Sequence, residues 1–519
     1  MSEILESYVA GRWSAGTGSG REVRDAVTGE TVTRVSSEGL DLGAAVAHAR
    51  AKGGPALRAM TFHERAAALK AAATAVHEGK DRLYELSARA GCTTRDAAVD
   101  VDGGTGTAFV YASLGRKGLP DARVVVEDEF IQLGKEGVFG GRHVLTSPHG
   151  ISLQINAFNF PVWGMLEKLA PALLAGVPTI VKPATPTAYI AVEAVRMMID
   201  SGALPEGSLQ VVAGSIPGLL DELGGQDHIG FTGSADTAAA LRGDPAVTRR
   251  SAHFNAEADS LNASVLGPDA APGEPEFDLF VKALVTEMTV KAGQKCTAIR
   301  RALVPADRVD AVAEAVSERL AGVTIGAPGA EGVRMGALVG TEQRDDVRDA
   351  ARRIAAAGTV VHGDLDRVDV VGADAERGAF LSPVLVRVDD ADRAEPHEVE
   401  AFGPVSSLMG YRDAEHAVEL LARGEGSLAG SVVSADADFV DRVVAGAAPW
   451  HGRLLVLDRD SAPESTGHGT PMPQLVHGGP GRAGGGQEEG GLRAVHAHLQ
   501  RSAVQGSPAV LERLGSLGD

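Results

Sequence analysis

Between residues 151 and 242, short apolar runs alternate with helical stretches, and this alternation restricts the fold more than any other feature of the chain. Strands are expected over 151–155, 179–181, 209–212 and 228–231, with helices over 162–175, 187–201, 216–223 and 234–242. Helices of this length between strands make right-handed crossovers and leave a parallel sheet covered on both faces. The fold class is therefore α/β. Such a sheet binds its ligand at the carboxyl ends of its strands, where the loops 156–159, 182–185, 214–215 and 232–234 lie.

The flanking regions add smaller units. The first forty residues read as short strands and turns at 8–13 and 31–35. Residues 40–90 are Ala-rich with helical spacing, and one helix opens on a Thr61 cap and runs to Glu78. Over 122–147 the chain alternates as exposed strands do, with Val124, Val126, Phe130, Gln132, Val138, His143 and Leu145 interleaved with polar residues. A small protruding sheet of this kind needs a partner edge. A second αβ region spans 256–470, and the glycine-rich stretch 477–486 reads as a loop held by backbone contacts. Three units are expected: 1–121 with 150–255, then 256–470, and the protruding segments 122–149 with 490–519. A length of 519 residues is consistent with several domains.

Charge and cysteine usage exclude several functions. A net charge of −20 sets the chain against phosphate backbones and anionic lipid, so neither nucleic acid nor a membrane surface is an expected partner. Two cysteines far apart, Cys92 and Cys296, rule out a disulfide scaffold and a Cys-rich metal centre, and the histidines show no metal-ligand spacing. The start, Met1 to Ser7, has neither the basic nor the apolar part of a signal peptide. The most apolar stretch, 160–181, carries Glu167, Lys168, Pro171 and Pro178. A cytoplasmic protein is expected.

Three positions stand out chemically. Cys296 follows Gly293, which permits close backbone approach. Lys291 and Lys295 flank it and favour a thiolate, and a helix expected from near Thr297 would lower the thiol pKa further. Cys92 lacks such surroundings and reads as a small buried hydrophobe. Glu257, between two alanines and just before the apolar run 261–266, is placed at the edge of a buried strand, where a carboxylate can act as a general base. In the strand–turn–helix unit 228–234, Gly233 lets backbone amides approach a phosphate and Ser234 caps the next helix. The cluster 16–20 precedes a strand, so it fails the context of a dinucleotide fingerprint. No Walker loop, Gly-x-Ser-x-Gly elbow or His-Glu-x-x-His pair is present.

Six segments together resemble the aldehyde dehydrogenase superfamily, in that family's order: 156–161, 181–185, 231–234, the Glu257 segment, 293–296 and 400–404. The resemblance spans essentially the whole chain. It implies a Rossmann-type cofactor domain (1–121 and 150–255), an αβ catalytic domain (256–470) and a small β oligomerisation sheet (122–149 and 490–519). It also implies roles for individual residues. Cys296 would be the nucleophile, Glu257 the base and Asn159 the oxyanion donor. Ile155, Asn156, Ala157, Phe158, Lys182, Ala184, Thr185, Gly214, Phe231, Thr232, Gly233, Ser234, Glu400 and Phe402 would line the cofactor site, and no metal is implied. Lys182 and Glu400 would hold ribose hydroxyls, Ser234 the pyrophosphate, and Phe402 would pack near the nicotinamide. Relatives that acylate coenzyme A typically lack the base, so Glu257 favours a free carboxylate product. NAD-selective relatives often carry Glu where Thr185 stands. A neutral hydroxyl beside Lys182 accepts a 2′-phosphate, which favours NADP and leaves NAD open.

Within the family, the segments 35–41, 56–62 and 287–301 and the glycine-rich stretch are similar to one branch. Its members oxidise the aldehyde at the far end of a coenzyme A thioester in aerobic phenylacetate and benzoyl-CoA breakdown. Segments 60–62, 111–115 and 473–477 are nearer the phenylacetate type. The resemblance implies a CoA-linked aldehyde substrate and a homodimer or higher homo-oligomer. The phenylacetate-type proteins carry a C-terminal hydratase domain, whereas this chain ends at Asp519, so a separate hydratase polypeptide is expected. Gln487, Glu488 and Glu489 depart from the branch pattern. A CoA-acylating dehydrogenase and a catalytically dead cofactor-binding protein are the alternatives.

Overall fold

The computed structural model describes residues 3–127, 130–475, 478–485 and 490–514. The expected features at Val476, His477, 486–489 and 515–519 lie outside them.

The strand–helix alternation builds a seven-stranded sheet. Its strands run in the order His253–Glu257, His228–Thr232, Ser152–Ile155, Thr179–Lys182, Leu209–Val211, Glu6–Val9, Arg12–Ala15. The first five are parallel. The last two form a hairpin that extends the sheet antiparallel through Tyr8 opposite Val211. In chain order the sheet grows from Ser152–Ile155 toward Leu209–Val211, then crosses to His228–Thr232 on the other side. The order therefore reverses between Ser152–Ile155 and His228–Thr232, and the loops leaving these two strands part to open a crevice.

Helices cover the sheet as expected, with two differences. The helix Phe62–Glu78 opens on a reciprocal cap between Thr61 and Glu64. The helix expected over 216–223 is only a short 3-10 turn, Leu219–Glu222, because Pro217 precedes Gly218 in the left-handed conformation (φ 74°). The second difference concerns the residues after Cys296, which turn directly into the strand Arg301–Pro305, so no helix starts near Thr297.

The strand His253–Glu257 carries the first sheet past the boundary expected at 255. Six residues later Ala263–Leu266 opens a second seven-stranded sheet. Its order is Thr359–His362, Val384–Val388, Val405–Tyr411, Arg301–Pro305, Ala263–Leu266, Ser427–Val433, His451–Leu457, and only the first strand is antiparallel. The link between Glu257 and Ala263 leaves the carboxyl end of one sheet and enters the amino end of the other. Loops from those two ends therefore face each other.

The alternating segment forms a small separate sheet. Gly140–Thr146 pairs with Val125–Val126, with Ile131–Gln132 and, from the far end of the chain, with Gln500–Gly506. Ile131, Leu133, Val138 and Phe139 on this sheet and its turn are exposed. Among the described residues no helix is long and apolar enough to cross a membrane.

Candidate active site

Cys296 is placed by an unusual turn. Lys291, Ala292 and Gly293 are consecutive residues with positive φ (53°, 51° and 67°). Two non-glycine residues in this region are strained, and neighbouring contacts have to hold them there. The Lys291 amide donates to Asp96 Oδ1 at 2.7 Å, and Gln294 Nε2 donates to the Lys291 carbonyl at 2.9 Å. Arg300 donates to the Gly293, Lys295 and Gly403 carbonyls at 3.0, 3.1 and 2.7 Å. Asn262 Nδ2 donates to the Cys296 carbonyl at 2.8 Å. Gly293 is required at its position, since a Cβ there would run into the Gly403 carbonyl.

Cys296, Glu257 and Asn159 meet. Glu257 ends its strand, is 2% exposed and accepts a hydrogen bond from the Cys296 thiol. Asn159 lies in the turn after Ser152–Ile155 and is also buried. The electrostatics of the sulfur differ from the expectation. Burial, then the Glu257 carboxylate, pushes the Cys296 thiol well above its ordinary pKa. The flanking lysines do not offset this, because each serves another group. Lys295 Nζ pairs with Glu287 at 2.7 Å, and Lys291 Nζ lies 3.4 Å from Cys92 Sγ. Burial raises the Cys92 thiol pKa against the pull of Lys291, in keeping with the unreactive reading of that residue. Burial opposes the Lys291 charge, but Cys92, Asp100 and Asp96 outweigh it and hold its pKa above the ordinary lysine value. At Cys296, burial and the neighbouring carboxylate both favour the protonated thiol, with Glu257 as its acceptor.

Two cavities meet at these residues. The first, about 320 Å³, is an apolar tunnel lined by Val99, Gly103, Phe160, Trp163, Thr470 and Pro471, with Glu167 in its wall. The second, about 570 Å³, fills the crevice between the sheets. Asn156, Ala157, Asn159, Thr232, Glu257 and Cys296 border both.

Most of the residues expected around a cofactor line the second cavity: Ile155, Asn156, Ala157, Phe158, Lys182, Ala184, Phe231, Thr232, Gly233, Ser234, Glu400 and Phe402. Thr185 and Gly214 are outside the lining. Thr185 starts a 3-10 turn, and Gly214 packs against the Ser37 backbone. Ser234 caps the helix Ala235–Arg242, as expected, through Thr237 N. Burial lowers the Lys182 pKa. Phe402 meets Phe158 edge-on at 5.8 Å, and the Arg300 guanidinium lies over its ring. Burial pushes Glu400 up to about 7, against the pull of Arg300, which lies 3.8 Å away.

Several lining residues were not anticipated, namely Thr237, Asp259, Gln343, Arg353, Glu398 and Arg482. Arg300 and Asn262 lie inside segments that carried the resemblance. Only their roles as locks of the Cys296 turn were hidden, because their partners are backbone carbonyls. Among the described residues, Glu400 Oε1, Thr232 Oγ1 and both amide atoms of Asn156 are buried without hydrogen-bond partners. Buried polar atoms rarely stay unpaired, and a ligand rich in hydroxyl and amide groups satisfies them.

Comparison with known proteins agrees with this geometry. The 3,4-dehydroadipyl-CoA semialdehyde dehydrogenase of Aromatoleum evansii is 47% identical over 478 residues, covering 92% of this chain and 93% of that protein. Protein MaoC of Klebsiella aerogenes is 49% identical over 185 residues, covering 35% of this chain and 53% of that protein. Among solved structures, PnpE in complex with nicotinamide adenine dinucleotide superposes with a TM-score of 0.84 at 22% identity over 97% of each chain. Betaine aldehyde dehydrogenase of Staphylococcus aureus with NAD+ gives 0.82 at 22% identity, over 97% of this chain and 95% of that one. Residues 13–459 match the aldehyde dehydrogenase family. With a buried thiol, carboxylate and amide gathered where two facing sheets meet, and with this extent of likeness, the chain belongs to the aldehyde dehydrogenase family.

Proposed function

We propose that the protein oxidises an acyl-CoA semialdehyde to its carboxylate with NADP, accepting NAD as well. The observation that carries this reading is the position of Cys296, Glu257 and Asn159, shared by an apolar tunnel on one side and a polar crevice on the other. The aldehyde enters by the tunnel. Glu257 takes the Cys296 proton, and the sulfur adds to the carbonyl carbon to form a thiohemiacetal. Asn159 Nδ2 and the Cys296 backbone amide stabilise the oxyanion. The crevice residues fit a dinucleotide, with Glu400 and Lys182 at ribose hydroxyls, Ser234 at the pyrophosphate and Phe402 beside the nicotinamide. When bound, the nicotinamide supplies the hydride acceptor. Glu257 releases the thiol proton to solvent and then removes a proton from water; the hydroxide adds to the thioester carbon, the carboxylate product leaves, and Glu257 returns the proton to the departing Cys296 sulfur.

The CoA-linked substrate is supported by the A. evansii relative, whose name favours 3,4-dehydroadipyl-CoA semialdehyde. A second reading, 3-oxo-5,6-dehydrosuberyl-CoA semialdehyde of phenylacetate breakdown, rests on segments 60–62 and 111–115. In that case hydrolytic ring opening supplies the substrate. Lys182 in the crevice wall favours NADP, and position 185, although outside the lining, brings no carboxylate near it. We read the sheet of residues 6–257 as the cofactor unit, the sheet of 263–457 as the catalytic unit and the small sheet as the site of self-association, in a cytoplasmic enzyme.

Steady-state kinetics with both CoA-linked semialdehydes and with simple aldehydes, each with NADP and NAD, test the proposal. The expected result is a higher kcat/KM for a CoA-linked substrate with NADP, and a free carboxylate product. Equal rates on simple aldehydes would overturn the substrate assignment. An acyl-CoA formed from free aldehyde and CoA would overturn the role of Glu257.

A further inference from the structure

The helix Thr94–Gly118 runs along the tunnel and carries Gly103, Gly104 and Gly106 near its middle. Each glycine inside a helix costs about 1 kcal/mol relative to alanine, so a cluster of three calls for a physical reason. Two of them face Trp163. A Cβ on Gly103 would fall within the Trp163 ring, and a Cβ on Gly104 would lie 2.8 Å from Trp163 Cα. Gly106 faces open space. Gly103 and Trp163 both line the tunnel that ends at Cys296.

Trp163 is fixed at its backbone but not at the tip of its ring. Its amide donates to Asp100 Oδ1 at 2.8 Å, one turn before Gly103 on the same helix. Its indole Nε1 is buried with no acceptor among the described residues. Packing alone therefore sets the ring, which rests against the Gly103 backbone on one side and meets Phe160 edge-on at 5.9 Å. A side chain at 103 would push the indole off the helix, and the open side available to it is the tunnel.

We propose that Gly103 is a specificity-determining residue: by giving the Trp163 indole a bare stretch of helix backbone to lie on, it keeps the tunnel wide enough for a long, substituted acyl chain. The inference builds on the reading that the substrate is an acyl-CoA semialdehyde, and it assigns the bore of the tunnel to a single contact.

The test compares Gly103→Ala, Gly103→Val, Gly103→Val combined with Trp163→Ala, and Gly106→Ala as a control for helix propensity. Each is assayed with a CoA-linked semialdehyde and with straight-chain aldehydes from propanal to decanal. The expected result for Gly103→Val is a loss of about tenfold or more in kcat/KM for the CoA-linked substrate, mostly through KM, with propanal little changed. Gly103→Ala is expected to fall in between, and the double variant to regain the larger substrate. Gly106→Ala is expected to behave as wild type. An equal loss on all substrates, no loss on any, or no recovery in the double variant would overturn the proposal. The series of free aldehydes reads the bore independently of coenzyme A. If wild type shows no preference for the CoA-linked compound, the substrate assignment fails while the role of Gly103 is still decided.

Discussion

At position 296, burial and a neighbouring carboxylate both act against ionisation of the thiol. Such a setting favours the protonated thiol, which reacts more slowly with solution electrophiles than a thiolate does. Removing the carboxylate removes one of the effects that raise the pKa, so the sign of the change is fixed. Glu257→Gln is expected to shift the pH profile of iodoacetamide alkylation of Cys296 to lower pH, while turnover falls about a hundredfold or more. Alkylation that moves to higher pH would contradict the assigned contact. Glu400 gives a second pH effect. With its pKa near 7 it ionises within the working range, and the ionised form is the better acceptor for hydroxyl donors. Dinucleotide binding followed by fluorescence is expected to be about tenfold tighter at pH 8 than at pH 6. That dependence is expected to disappear in Glu400→Gln. The identities of Cys296, Glu257 and Asn159 were readable from the chain because they sit in compact motifs. The state of the thiol was not, because sequence neighbours such as Lys291 and Lys295 point to partners that only the fold brings near.

Among the elements, strands and long helices followed their apolar spacing closely, and the differences have local causes. Apolar residues at 216–223 imitate a helix, yet Pro217 with a left-handed Gly218 stops it at one short turn. Around Cys296 the chain makes one turn, closed by the Ala298 amide on the Lys295 carbonyl and held by Asn262 and Arg300, contacts that no spacing rule reports. The helix Ala235–Arg242 shows a further effect of this kind. Its first amide, that of Ala235, is already taken by the Asp259 carboxylate at 2.9 Å, on the wall of the crevice. A negative charge at a helix N-terminus stabilises the helix but repels an incoming phosphate. Asp259→Asn keeps an oxygen for the amide and removes the charge. It is expected to tighten dinucleotide binding about threefold, with a slightly lower melting temperature; the electrostatic part of that gain should shrink with added salt. Weaker binding would show that Asp259 contacts the ligand directly.

For the whole molecule, the described chain builds two facing seven-stranded sheets with their covering helices, a small protruding sheet, and a two-stranded sheet of Arg21–Arg24 with Thr31–Val35. The α/β class and the order of the units could be read in advance from the alternation of strands and helices. The way the amino end of the second sheet faces the carboxyl end of the first could not, since it depends on the five residues between Glu257 and Ala263. The small sheet presents Ile131, Leu133, Val138 and Phe139 to solvent, and Val138 is 65% exposed. Such a cluster is rarely left bare on a soluble protein. Sedimentation at micromolar concentration is expected to show a dimer or larger assembly, and Val138→Glu with Phe139→Glu to shift it toward monomer. A monomer in the unaltered protein would remove the role given to this sheet.

The tunnel and the crevice share a border of six residues that includes Cys296. On the proposed reading, fuel comes to this border from one side and oxidant from the other. A small covalent plug on that one sulfur would close both entrances together, and cargo lodged at either door would shield it from the plug.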